Sequence, residues 1–121
     1  MRAIWDRYTA TGEFSDYLDP DVEIYDHDIP ESGAYRGVEG FARWVEEAAG
    51  QWADYEAVPR EFIDAGERVV VLLEFTATGA GSGIRLSRED AIVYELRDGL
   101  IVRFDYFNNR ATALAFAGVG A

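Results

Sequence analysis

Apolar positions along this chain follow two different periods, and the change of period divides it. Phe41, Trp44, Val45, Ala48 and Trp52 recur at i, i+3, i+4, i+7 and i+11, one apolar stripe on a helix. Glu39 stands near the start of that helix, where the dipole favours negative charge, while Arg43, Glu46 and Glu47 lie off the stripe. Upstream, Ile4, Trp5 and Tyr8 sit at helical spacing within Met1–Ala10, with Gly12 as a stop, and a second short helix is predicted over Phe14–Leu18. Asp19-Pro20-Asp21 is a turn signal, Val22–Asp26 a short strand, and His27–Arg36, with Pro30, Ser32 and Gly33, a loop.

From Asp54 onward the pattern is that of strands. Tyr55–Ile63 is interrupted by Pro59, which places it at an edge or a bulge. Arg68–Thr78 is apolar on both parities, as in a strand buried on both faces. Gly79–Gly83 is a hairpin loop, Ile84–Leu96 a long strand, Arg97-Asp98-Gly99 a tight turn and Leu100–Asn108 the last strand. Ala111–Ala117 is predicted as a short terminal helix. Helices followed by an antiparallel meander define an α+β fold, with helices on one face of a curved sheet. A length of 121 residues suits one domain spanning residues 1–121.

Charge narrows the partners. The chain carries 23 acids against 11 bases, a formal charge of −12, and every base is arginine. Such a balance repels phosphate backbones and anionic lipid, so no nucleic acid and no membrane partner is expected, and a mostly apolar small molecule is. No apolar run approaches the roughly 18–20 residues of a membrane span. Met1–Asp6 has no basic patch leading into an apolar stretch, so a cytoplasmic location is expected. The absence of cysteine removes disulfides, thiolate metal sites and thiol nucleophiles, and the absence of lysine removes Schiff-base chemistry. Asp26-His27-Asp28 has oxygen and nitrogen donors, but adjacent residues rarely converge on one ion, so no metal is expected.

Four segments resemble one family. Leu18–Asp26 (LDPDVEIYD) is similar to the LDPDVEW-D segment of the SnoaL-like, polyketide-cyclase-like branch of the nuclear transport factor 2-like superfamily. Gly33–Gly40 resembles its G-Y-R-G-x-E-G approach to the long helix. Glu61–Val71 resembles its E-F-I-D-A-G-D-R-V-V-V turn, and Leu96–Val102 its L-R-D-G-K-I-V hairpin. The resemblance covers nearly the whole chain, and most of these motifs are turns and caps. It implies a cone-shaped curved antiparallel sheet wrapped by N-terminal helices, a cystatin-like roll enclosing an apolar pocket. Strands apolar on both parities in a domain this small leave one sheet face with no second layer of helices, so a homodimer packed sheet against sheet is expected, as the resemblance also implies. Relatives of this fold include polyketide cyclases, ketosteroid isomerase, limonene-type epoxide hydrolases and scytalone dehydratase, so the fold does not fix the function.

The resemblance also supplies candidate chemistry. Asp26 matches the position of the ketosteroid isomerase carboxylate that moves protons; at the rim of an apolar cone a carboxylate is desolvated and becomes a stronger base. His27 is the only histidine, and on an extended backbone it faces away from Asp26 and Asp28, so either His27 or the two aspartates face the pocket. Asp105, in Phe104-Asp105-Tyr106-Phe107-Asn108, resembles the water-activating aspartate of limonene-type epoxide hydrolases. Those enzymes also need an Arg-x-Asp pair on the middle strand, where this chain reads Leu72-Leu73-Glu74-Phe75, so the full triad is absent. Arg103 shares the parity of Asp105 and can pair with it. Arg7-Tyr8 matches the isomerase R-Y, whose tyrosine stabilises an enolate oxygen. Asp90 lies near the second member of that oxyanion site, but counting back from the hairpin turn leaves the register one residue off and faces it the other way.

Together these point to a cofactor-independent enzyme that isomerises, dehydrates, cyclises or adds water by proton transfer. Asp26 would be the base, Asp105 a second acid–base group, His27 an auxiliary and Tyr8 a donor to the substrate carbonyl. Trp44, Tyr25, Phe75, Tyr94 and Phe107 would contact substrate. The rival is a non-catalytic domain that holds an apolar ligand or serves as a dimer platform.

Overall fold

In the computed structural model, which describes residues 17–27 and 35–118, six strands form one curved, unclosed sheet. They are β1 (Leu18–Asp26), β2 (Tyr35–Arg36), β3 (Trp52–Ala65), β4 (Arg68–Gly79), β5 (Arg85–Arg97) and β6 (Leu100–Phe107), in the order β2-β1-β6-β5-β4-β3. Helix α1 (Gly37–Ala49) joins β2 to β3, and helix α2 (Arg110–Ala117) follows β6. The meander β3 to β6 is antiparallel, as its alternation predicts. β1 adds to it in parallel, with Ile24 opposite Phe104, Tyr25 opposite Asp105 and Asp26 opposite Tyr106.

Local signals explain most boundaries. Asp98 and Gly99, both at positive φ (53° and 80°), make the tight turn between β5 and β6 that suits the right-handed twist of a hairpin. Asn109 caps α2, its side chain accepting from Thr112 N–H at 3.0 Å, and Gly118 ends it in the left-handed region. β3 is an edge strand whose register shifts between Pro59 and Glu61, so the proline sits where a ladder bond is dispensable.

Three local readings are corrected. Asp19-Pro20-Asp21 does not separate elements: Leu18–Asp26 is one strand, with a register shift between Leu18 and Glu23. The Asp21 N–H donates to Asp19 Oδ1 at 2.8 Å, so the turn signal is absorbed as an irregularity within the strand. Leu18 therefore opens a strand and does not close a helix. Trp52 opens β3 beyond the Gly50 cap of α1 and packs edge-on against Phe75. The Met1–Ala10 helix and Phe14–Asp16 lie outside the described residues.

The sheet has two buried faces. On the inner face Val22, Ile24, Val71, Leu73, Ile92, Tyr94, Ile101 and Phe104 pack against Phe41 and Trp44 of α1. Trp44 meets Phe104 edge-on at 5.0 Å between centroids. Burying an aromatic side chain of this kind contributes about 1.5–3 kcal/mol. On the outer face Val70, Leu72, Ala91, Val93 and Phe107 pack against Ala113, Leu114 and Phe116 of α2. The expectation that nothing in so small a domain covers the outer face is thus corrected: the short terminal helix forms that second layer. The uncovered part of that face is polar, carrying ion pairs Arg60–Glu74 and Arg85–Asp54.

One irregularity sets which residues face inward. Leu96 pairs with Ile101 but Glu95 pairs with Arg103, so β6 holds one extra residue, Val102. Without that bulge Asp90 would share a face with Asp105. With it, Tyr94 lies opposite Phe104, Ile92 opposite Tyr106, and Asp90 opposite the inward Leu73.

Candidate functional site

Asp26 is the last residue of β1 and points to the inner face, as its parity with Val22 and Ile24 requires. Trp44, at the centre of the apolar stripe of α1, donates from Nε1 to Asp26 Oδ2 at 2.8 Å. The indole thereby fixes the carboxylate against a wall of Trp44, Phe104 and Tyr106, whose rings lie 5.0–5.6 Å from that of Trp44. Tyr106 is the cross-strand neighbour of Asp26.

Beyond Tyr106 lies a second carboxylate. Asp90 on β5 is fully buried. Arg88, two residues earlier and so on the same face, grips it through Nε and Nη2, the latter at 2.9 Å from Oδ2. The Tyr106 hydroxyl also donates to Asp90 Oδ2. Burial first, and then the Asp90 charge, push the Tyr106 phenol far above the usual tyrosine range, so it stays protonated. The guanidinium of Arg88 lies over the Phe75 ring at 5.1 Å. Asp26 with Trp44, and Tyr106 with Asp90 and Arg88, are therefore two hydrogen-bonded groups on one aromatic surface, joined by the ring contact of Trp44 with Tyr106.

Asp105 and His27 belong to the opposite face. With Asp26 and Tyr106 turned inward, strand alternation turns Tyr25, His27, Asp105 and Phe107 outward. Asp105 is 1% exposed and is held bidentately by Arg103, at 2.9 and 3.2 Å. His27 Nε2 lies 2.7 Å from the same carboxylate, and its ring stacks on Phe107 at 4.3 Å. Arg103 also covers the Tyr25 ring at 4.3 Å, and its hydrogen bond to Asp105 raises its own pKa. Phe116 of α2 closes the cluster, 5.6 Å from His27.

The expected site residues are thus divided. Asp26, Trp44, Phe75 and Tyr94 are inward; Asp105, His27, Tyr25 and Phe107 are outward; Tyr8 lies outside the described residues. Arg88, Asp90 and Tyr106 join Asp26 on the inner face, and Asp90 had been set aside on register. The readable signal was Arg88-Glu89-Asp90, an Arg-x-Asp pair one strand beyond the place where such a pair was sought. It does not complete an epoxide-hydrolase triad with Asp105, which faces the other way. A groove of about 690 Å³ adjoins the Arg88 end of this surface, between the start of α2 and β5, lined by Arg88, Glu89, Asn108, Asn109, Arg110 and Leu114. None of its lining side chains is buried, so the aromatic inner face with its fixed carboxylates is the stronger candidate. Among the described residues no group of three or more His, Cys, Asp or Glu is arranged to hold a metal, and no helix is long and apolar enough to cross a membrane.

An α+β chain whose curved sheet carries a long helix and a carboxylate on its inner face has the nuclear transport factor 2-like architecture. The sequence matches the SnoaL-like domain family over residues 1–104, and the chain belongs to that family. An NTF2-like protein of unknown function from Burkholderia pseudomallei is 22% identical, with a TM-score of 0.75 over 94% of this chain and 91% of that one. A ketosteroid isomerase-like protein from Catenulispora acidiphila, in complex with trimethylamine, is 15% identical, with a TM-score of 0.74 over 97% and 93%. A cystatin-like protein of unknown function from Xanthomonas campestris is 22% identical, with a TM-score of 0.72 over 99% and 98%. No curated protein matches the sequence.

Proposed function

We propose that this chain holds a mostly apolar small molecule against the inner face and moves a proton on it, with Asp26 as the base. The observation that supports this reading is the Trp44–Asp26 hydrogen bond of 2.8 Å, which fixes a carboxylate within an aromatic wall. A base held in one orientation beside an apolar surface is poised for abstraction of a carbon-bound proton. No cofactor is part of the proposal. Asp105 and His27, bound to one another on the outer face, take a structural role in it, and Tyr8 keeps the expected role of carbonyl donor. A small organic partner is supported by the structural neighbour of ketosteroid isomerase-like fold that is in complex with trimethylamine.

The test is a screen of unsaturated ketones, β-hydroxy carbonyl compounds and epoxides, followed by Asp26→Asn on any compound turned over. An unchanged rate in the variant would remove Asp26 from the mechanism. Binding of these compounds without turnover would favour the non-catalytic ligand-binding reading.

A homodimer through the sheet is the assembly proposed. Since α2 covers the apolar part of the outer face, the interface would use its polar part, where Arg60 and Glu74 can exchange partners across a two-fold axis. Light scattering at micromolar concentration should give twice the chain mass; a monomer would end this proposal.

A further inference from the structure

Tyr106 stands between the two inner-face carboxylates, and its proton is already committed. Asp90 is fully buried and accepts three hydrogen bonds, two from the Arg88 guanidinium and one from Tyr106. The Arg88 guanidinium donates to both Asp90 oxygens, and burial together with the Asp90 charge keeps the Tyr106 phenol protonated. The hydrogen in the Tyr106–Asp90 bond therefore belongs to the phenol and points at Asp90. A phenol has one hydrogen, and Arg88 also donates toward this oxygen, so it can offer any further partner only its remaining lone pair. Tyr106 is half-buried and is the cross-strand neighbour of Asp26.

We infer that Tyr106, with its proton held by the Arg88–Asp90 pair, is a hydrogen-bond acceptor that selects small molecules carrying a hydroxyl beside the group presented to Asp26. The inference rests on the inner face being the ligand site, as proposed above. Asp90 and Arg88 act through Tyr106 and are positioning residues. The substrate class is that of apolar molecules with a phenolic, enolic or alcoholic hydroxyl. An arrangement of this kind does not donate to a developing oxyanion from Tyr106; it orients a hydroxyl-bearing carbon toward the base.

The test compares 2-naphthol with 2-methoxynaphthalene by equilibrium dialysis at neutral pH. The probes share a ring system, and only the first has a hydroxyl. The added methyl group favours the ether by its apolar area, so the pair is biased against the inference. Wild-type protein should bind 2-naphthol about 3- to 10-fold more tightly, the effect of one hydrogen bond. Tyr106→Phe, which keeps the ring, should abolish that preference while binding the ether as well as wild type does. Asp90→Ala frees the Tyr106 proton to turn toward a ligand oxygen, and should bring the two affinities together; circular dichroism and a thermal melt establish that it folds. Equal binding of both probes by wild type, or a preference that survives in Tyr106→Phe, would overturn the inference and leave the Asp26 site standing. Failure of both probes to bind would overturn both.

Discussion

Two Arg-x-Asp pairs lie on neighbouring strands of this sheet and look alike in sequence. Arg88 and Asp90 face inward from β5; Arg103 and Asp105 face outward from β6. Both carboxylates are buried and bidentately held, and their third partners differ. Asp90 receives a tyrosine hydroxyl on an aromatic surface it shares with Asp26. Asp105 receives the ring of His27, which stacks on Phe107 and meets Phe116 of α2 at a tilt. The inner pair thus adjoins a surface with a second, oriented carboxylate, whereas the outer pair fastens β1 and β6 to each other under α2. A buried ion pair by itself does not mark a site; the groups reachable from its face do.

The sharpest way to break this contrast is to neutralise one carboxylate on each face. Asp26→Asn should lower turnover by about 10²–10⁴-fold, the usual contribution of a general base. Asp105→Asn should leave turnover of the folded protein within a few-fold. Steady-state rates on one substrate decide between them, and a larger loss for Asp105→Asn would reverse the assignment of the faces.

Packing offers the next contrast. Phe104, 2% exposed, lies at the centre of the inner core, and Phe104→Ala should cost about 3–5 kcal/mol. Phe116 is only half-buried, and Phe116→Ala should cost about 2 kcal/mol, below that range because it loses less contact. Urea titration measures both; equal costs would mean that α2 is as integral as α1. A smaller effect is expected from the cap of α2, where Asn109→Ala should cost about 1 kcal/mol in the same titration.

The last contrast appears only in alkali. Below about pH 10 tyrosine is protonated in folded and unfolded chains alike. Above it the unfolded chain releases its phenolic protons while folded Tyr106 keeps its own. The unfolded state then binds fewer protons, so stability falls as pH rises. Tyr25 and Tyr35, raised by their hydrogen bonds to Glu23 and Glu47, act in the same direction. Tyr106→Phe should make the alkaline fall in melting temperature shallower; an unchanged slope would mean that the Tyr106–Asp90 bond does not persist in solution.

The bounds of β4, β5, β6 and α2 were legible to within a residue or so, and α1 was legible as an element, because each is written in local signals: doubled apolar parity in Val69–Leu73, a helical stripe around Trp44, and the Asp98-Gly99 turn. That Asp26 and His27 face opposite ways was legible from strand alternation, with either free to be the inward one. Asp90 was not legible in this way. Its facing depends on one extra residue, Val102, in a strand it does not belong to. No alternation within β5 reveals that.

The sequence alone therefore determined the elements, the family resemblance and the parity of residues within each strand, because these depend on neighbours a few positions apart. Only the tertiary structure decided which parities from different strands share a face, and that α2 returns to cover the outer one. Those outcomes depend on register between strands and on a bulge that shifts it by one. A shift of one residue exchanges every inward side chain for an outward one. It put Asp90 on the face that Tyr106 shares with Asp26, and it left Asp105 on the other side of the sheet.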